Sequence, residues 1–211
     1  MGLRVGLTGG LGSGKSTVAG MLKDHGAYVL SADEIGRKLM EPGQAVFAAI
    51  VEAFGDDVVR DDGTLDRPKL AKMAFGDGRI EELNAIVHPA TIGLQTRIAE
   101  EIFRRDPQAI VVVESALIFE SSHGNGWRER FDKLILVTAP EATRIARFIA
   151  RSGSGDPVAL EAEARRRLAA QIPDEVKVPQ CDFVIANDGT VDQLRERVAA
   201  VWQALSNLRT S

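Results

Sequence analysis

The stretch GLTGGLGSGKST, from Gly6 to Thr17, constrains this chain more than any other segment. It contains G-x-x-x-x-G-K-[ST] as Gly9, Gly14, Lys15 and Ser16. Ahead of it, LRVGLT (Leu3 to Thr8) reads as a short buried strand. Behind it, STVAGMLKDHG places Val18, Met21 and Leu22 on one helical face and stops at Gly26. Glycines let successive backbone N–H groups turn inward, and the helix N-terminus adds partial positive charge. Gly9, Gly10, Leu11, Gly12, Ser13, Gly14, Lys15, Ser16 and Thr17 are therefore expected to cradle the phosphates of a nucleoside triphosphate. Lys15 reaches the outer phosphates, and Ser16 can offer its hydroxyl to Mg²⁺. The plain alternative is a glycine turn without a ligand; the flanking strand and helix weigh against it.

The rest of the chain alternates in the same way. AYVLSAD (Ala27 to Asp33), AIVVVES (Ala109 to Ser115), KLILVTA (Lys133 to Ala139) and DFVIAN (Asp182 to Asn187) read as four more strands. DQLRERVAAVWQAL forms the last helix. Strand and helix in alternation imply a parallel sheet covered on both faces. The expected fold is an α/β, P-loop NTPase three-layer α/β/α arrangement with a five-stranded parallel sheet. All 211 residues then form one domain with two interruptions. Residues 41–105 carry helices and turns without a clear strand, which predicts a helical insert. Ala150 to Gln171 begins flexible and becomes a charged helix, which suits a mobile lid, placed at 147–171.

A switch GTPase would carry N-K-x-D after a late strand, but the last strand ends in NDGT (Asn187 to Thr190). A small chain with an insert and a lid reads instead as a kinase for a small molecule. Ligands of such sheets bind at the carboxyl ends of strands. Asp33 stands at one of these ends, where a carboxylate orients an acceptor hydroxyl and takes its proton. The other reading is that Asp33 caps a helix starting at Glu34.

The sequence also resembles the dephospho-CoA kinases. LTGGLGSGKSTVA, SADEIGRKL, EPG, FG, DGTLDR, LNAIVHP, ALIFE, RFIAR, Gln171 and CDFVIANDG follow in that family's order, from Leu3 to about Val201. The phosphate loop is generic, whereas DGTLDR with LNAIVHP is specific. The resemblance implies transfer of the ATP γ-phosphate to the ribose 3′-hydroxyl of dephospho-CoA. It makes Asp33 the residue facing that hydroxyl, with Arg37 one helical turn away and Thr8 near the reaction centre. It puts Asp66, Arg67, Asn84, His88 and Glu120 at the acceptor. The first four can equally fix the insert's own turns, helix ends and core. Three positions depart from the pattern: Ser31 replaces an Asp, Ala116 a Pro and Arg144 a Gln.

Glu114 ends the most apolar strand, where a second acidic group supports Mg²⁺ or is simply solvated. Arg147 and Arg151 lie one turn apart on the helix entering the lid. Arg147, with its fixed fork of donors, suits the transferring phosphoryl group. Arg165, Arg166 and Arg167 read as a solvated helix face. The NDG turn, through Asn187 and Gly189, is placed to read the adenine or is an ordinary turn.

The net charge of −4 gives no global field for nucleic acid. Cys181 is the only cysteine, which excludes an internal disulfide and fits a reducing compartment. The first residues lack the basic end and long apolar core of a signal peptide, and no apolar run approaches membrane-spanning length. The expected protein is a cytoplasmic enzyme, a monomer by preference, acting on ATP and dephospho-CoA with Mg²⁺. Its rivals are a kinase for another small alcohol or a nucleoside monophosphate, and an ATP-binding regulatory module without turnover.

Overall fold

The computed structural model describes residues 1–119 and 126–209. Five strands, β1 (Leu3–Thr8), β2 (Tyr28–Ser31), β3 (Ile110–Glu114), β4 (Lys133–Thr138) and β5 (Phe183–Ala186), form one sheet in the order β2-β3-β1-β4-β5. β1 pairs in parallel with β3 and β4, and β4 in parallel with β5. Apolar residues fill both faces, as a parallel sheet under helices requires. Val5, Leu7, Ile110, Val112, Ile135, Val137 and Ile185 point to one face. There they meet Val18 and Leu22 of α1 (Lys15–Asp24) and Leu194, Val198 and Leu205 of the C-terminal helix (Val191–Leu208). Val113 and Leu134 point the other way, toward Ile118, Trp127 and Phe131.

β1 matches its sequence span, and each of the other four strands ends one or two residues short. The largest difference is at β2, which stops at Ser31 so that α2 (Ala32–Leu39) begins at once. Ser31 is the cap: its side chain accepts from the Glu34 N–H at 3.3 Å. Asp33 is therefore not the cap. It lies in the first turn, where a carboxylate complements the helix dipole.

The chain divides into two units, one of residues 1–30 and 101–211, the other of residues 31–100. The second has its own core of Val46, Ile50, Phe54, Val58, Leu65 and Leu70. After α2 it contains α3 (Ala45–Phe54), the short α4 (Arg67–Ala71) and most of α5 (Ile80–Arg105). Between α3 and α4, DGTLDR makes a hairpin turn followed by a helix cap. Thr64 donates to Asp62 through its N–H (2.9 Å) and hydroxyl (2.6 Å), Val59 bridges Leu65, and Asp66 accepts from the Lys69 N–H at 3.1 Å. The hydrogen bonds from Thr64 hold the Asp62 carboxyl below its ordinary pKa. Among the described residues, no helix is long and apolar enough to cross a membrane.

Candidate active site

The phosphate loop leaves β1 at Thr8, whose buried hydroxyl has no hydrogen-bond partner. It enters α1 at Lys15. Gly14 sits at the join with φ +95°, and a β-carbon there would collide with the Asn187 side chain. Only glycine accepts both conditions.

The register of β1 on β3 sets Leu7 opposite Glu114, which brings this carboxylate to the loop's end of the sheet. The Ser16 hydroxyl donates to Glu114 Oε1 at 2.8 Å. A hydroxyl oxygen and a carboxylate oxygen thus lie side by side at the first turn of α1, and both are hard donors suited to Mg²⁺. Lys15 Nζ turns back on the loop, donating to the carbonyls of Gly9 (2.7 Å) and Gly10 (3.3 Å). Thr17 stands exposed beside Ser16.

From the opposite side, α6 (Glu141–Ser152) presents two arginines. Arg147 donates to the carbonyls of Gly12 and Ser13 at 3.3 Å each, and to the carbonyl and side chain of Asn187 at 3.3 and 3.2 Å. Asn187 is buried, and its Nδ2 donates to Ser13 O at 2.8 Å. Sequence reasoning placed the NDG turn at the adenine; the Asn187 side chain also brackets the loop, joining the end of β5 to Ser13. Gly189 is exposed in the following turn, where Arg197 donates to Asp188 at 2.5 Å and holds its carboxyl below the usual range. Arg144 was read only as a departure from a pattern, yet it donates from Nε to Leu11 O at 3.0 Å. No local signal could have found this bond, because the partners are 133 residues apart. The arginines of α7 (Pro157–Ala169) point away from such work: Arg165 pairs with Glu161 and Glu141, and Arg166 and Arg167 with Glu163. This is the solvated face expected of a charge run.

In the helical unit, Asp33 and Arg37 are exposed on α2. Arg67 reaches back to the Arg37 carbonyl at 3.5 Å. Asp66 caps α4 and pairs with Arg60 at 3.8 Å. Asn84 and His88 lie four residues apart, half-buried on α5, just before its internal Pro89. Glu120 lies outside the described residues. Cys181 is half-buried, and burial pushes its thiol pKa up to about 11.

A strand, phosphate loop and helix at the centre of a parallel sheet, with a lysine, a hydroxyl–carboxylate pair and an arginine helix around it, define a P-loop kinase. The model of the family described as dephospho-CoA kinase (CoaE) matches residues 3–193. A dephospho-CoA kinase of Moorella thermoacetica is 43% identical over 202 residues, covering 95% of this chain and 91% of that protein. The solved structure of TT1252 from Thermus thermophilus is 33% identical with a TM-score of 0.76, covering 96% of this chain and 97% of that one. Dephospho-CoA kinase from Campylobacter jejuni is 25% identical with a TM-score of 0.68, covering 98% of each chain. The chain belongs to the dephospho-CoA kinase family, and its activity is the ATP-dependent phosphorylation of dephospho-CoA, the final step of coenzyme A biosynthesis.

Proposed function

We propose that ATP lays its phosphates against the backbone of Gly9 to Thr17, and that Asp33 presents the ribose 3′-hydroxyl of dephospho-CoA to the γ-phosphorus. The observation that carries this reading is the Ser16–Glu114 pair at 2.8 Å beside the loop. Mg²⁺ fits these two oxygens together with the nucleotide's own phosphates, and when bound it neutralises charge developing on the β- and γ-phosphates.

Lys15 exchanges the carbonyls of Gly9 and Gly10 for phosphate oxygens. Arg147 exchanges the carbonyls of Gly12 and Ser13 in the same way. A phosphate oxygen adds opposite charge to a bond that a carbonyl accepts only as a neutral group, so both exchanges favour the bound state. Asp33 accepts the hydroxyl proton as the oxygen attacks in line and the β–γ bridging oxygen leaves with ADP. Such assistance contributes about 10²–10⁴-fold. Thr8, buried beneath the loop, is a positioning residue rather than a reacting one.

Arg37, Asp66, Arg67, Asn84 and His88 form the acceptor side. Arg37 and Arg67 supply positive charge for the acceptor's pyrophosphate, while Asp66 fixes the helix end that carries Arg67. The turn at Asn187 to Gly189 offers backbone groups to the adenine edge. Residues 147–171 act as the lid, excluding water from the transferring phosphoryl group. The enzyme works as a monomer in the cytoplasm, a compartment that its single cysteine fits.

The test is ADP release from ATP–Mg²⁺ with and without dephospho-CoA, with the product weighed and mapped. Acceptor-dependent release, with one phosphate gained at the 3′ position, is the expected result. Phosphate at another hydroxyl would sink the assignment of the acceptor geometry.

A further inference from the structure

At the loop tip, both backbone groups of Leu11 are held from outside the loop. Its N–H donates to Gln171 Oε1 at 2.9 Å, and its carbonyl accepts from Arg144 Nε at 3.0 Å. Arg144 is in turn fixed by Asp174, Nη1 to Oδ2 at 3.1 Å, with the two side chains only 13% and 17% exposed. Gly12 belongs to the same contact: it has φ +70°, and a β-carbon on it would collide with the Arg144 backbone.

These contacts have a consequence for phosphate binding. The peptide group is planar and trans, so a carbonyl and the next residue's N–H point in opposite directions. Drawing the Leu11 carbonyl toward α6 turns the Gly12 N–H to the opposite side. Arg147 and Asn187 act alike on the Ser13 carbonyl, which turns the Gly14 N–H the same way. A loop that binds anions through N–H groups needs these planes set before the ligand arrives; otherwise ordering them subtracts from affinity.

Arg144 lies in the first turn of α6, at the start of the α6–α7 hairpin, and Gln171 and Asp174 lie just after its end. Both roots of the hairpin therefore grip one loop residue. We propose that Arg144, Gln171 and Asp174 are positioning residues for ATP, forming a clasp that presets the loop-tip peptides and ties them to the hairpin's base. The inference rests on the reading of Gly9 to Thr17 as the ATP site. The clasp is not core packing, because Arg144, Gln171 and Asp174 line a cavity of about 540 Å³. The fold of each variant is checked by circular dichroism and thermal melting before its kinetics are read.

The experiment measures kcat and both KM values for Arg144→Ala, Arg144→Lys, Asp174→Ala and the double variant Arg144→Ala/Asp174→Ala, with amide exchange followed at Leu11. Arg144→Ala raises the KM for ATP roughly tenfold, lowers kcat by less than about threefold, and leaves the KM for dephospho-CoA unchanged. Arg144→Lys, which has the charge without the fork, does not rescue it. Asp174→Ala gives a smaller rise of about threefold, and the double variant is no worse than Arg144→Ala, because Asp174 acts through Arg144. The Leu11 amide exchanges faster in each. An unchanged KM for ATP, rescue by lysine, multiplying effects in the double variant, or an equal rise in both KM values would overturn the clasp. Lys15→Ala keeps the two readings apart: if it binds ATP normally, the loop assignment has failed, whatever Arg144 does.

Discussion

Around the phosphate loop, Lys15, Ser16, Arg147 and Asn187 are each hydrogen-bonded to another part of the same site. In the helical unit, Asp33 and Arg37 stand exposed on α2, and the bonds nearby belong to turns and caps. The first arrangement suits a ligand bound largely through backbone N–H groups, whose planes must be fixed in advance. The second suits side chains that act directly on a ligand and need only a firm helix beneath them. In the loop, stability and affinity are therefore joined; in the helical unit they separate.

Variants at four positions test that contrast. Asp33→Asn has the largest effect: kcat falls by about 10²–10⁴-fold while the KM for ATP stays within about twofold, measured by steady-state ADP release. A parallel loss of ATP affinity would tie Asp33 to the loop and erase the contrast. Asn187→Ala removes the shorter of the two hydrogen bonds to the Ser13 carbonyl, leaving the one from Arg147, and takes away the side-chain oxygen to which Arg147 donates. It lowers stability by about 1–3 kcal/mol in urea unfolding and weakens ATP binding with it. Ser31→Ala removes the α2 cap for about 1 kcal/mol without changing ATP affinity, and Ser31→Asp restores the loss, since both side chains cap. An Ala variant as stable as the parent would show that the first turn of α2 does not depend on Ser31. Arg165→Ala is the smallest: its partners are exposed, so the change stays below about 0.5 kcal/mol, checked by thermal melts at low and high salt.

Where the chemistry is local, the sequence was readable. The five strands, α1 and the C-terminal helix follow from period and punctuation, and the loop from spacing between a strand and a helix. The difference at β2 is instructive: the apolar run reads as a strand through Asp33, but Ala-Asp-Glu after Ser31 is a good first helical turn, so the serine ends the strand and becomes the cap. DGTLDR was legible as a specific motif, yet its residues make a turn and a helix cap before they touch any ligand. What stayed hidden was pairing at a distance. Arg144 meets Leu11 across 133 residues and Asn187 meets Ser13 across 174, and no periodicity encodes such contacts. Ser31, which stands where the family pattern has an Asp, supplies the cap of α2.

The folded-back Lys15 bears on which anions the resting enzyme ignores. Its ammonium already has two carbonyl acceptors, so the loop presents no bare charge to solution. A solitary small anion must break those contacts and meets only part of the loop's N–H groups. A polyphosphate reaches the ammonium and several N–H groups in the same event, and the sum of these contacts favours the exchange. The loop thus screens its visitors by the length of their phosphate chain, before any hydroxyl acceptor is present.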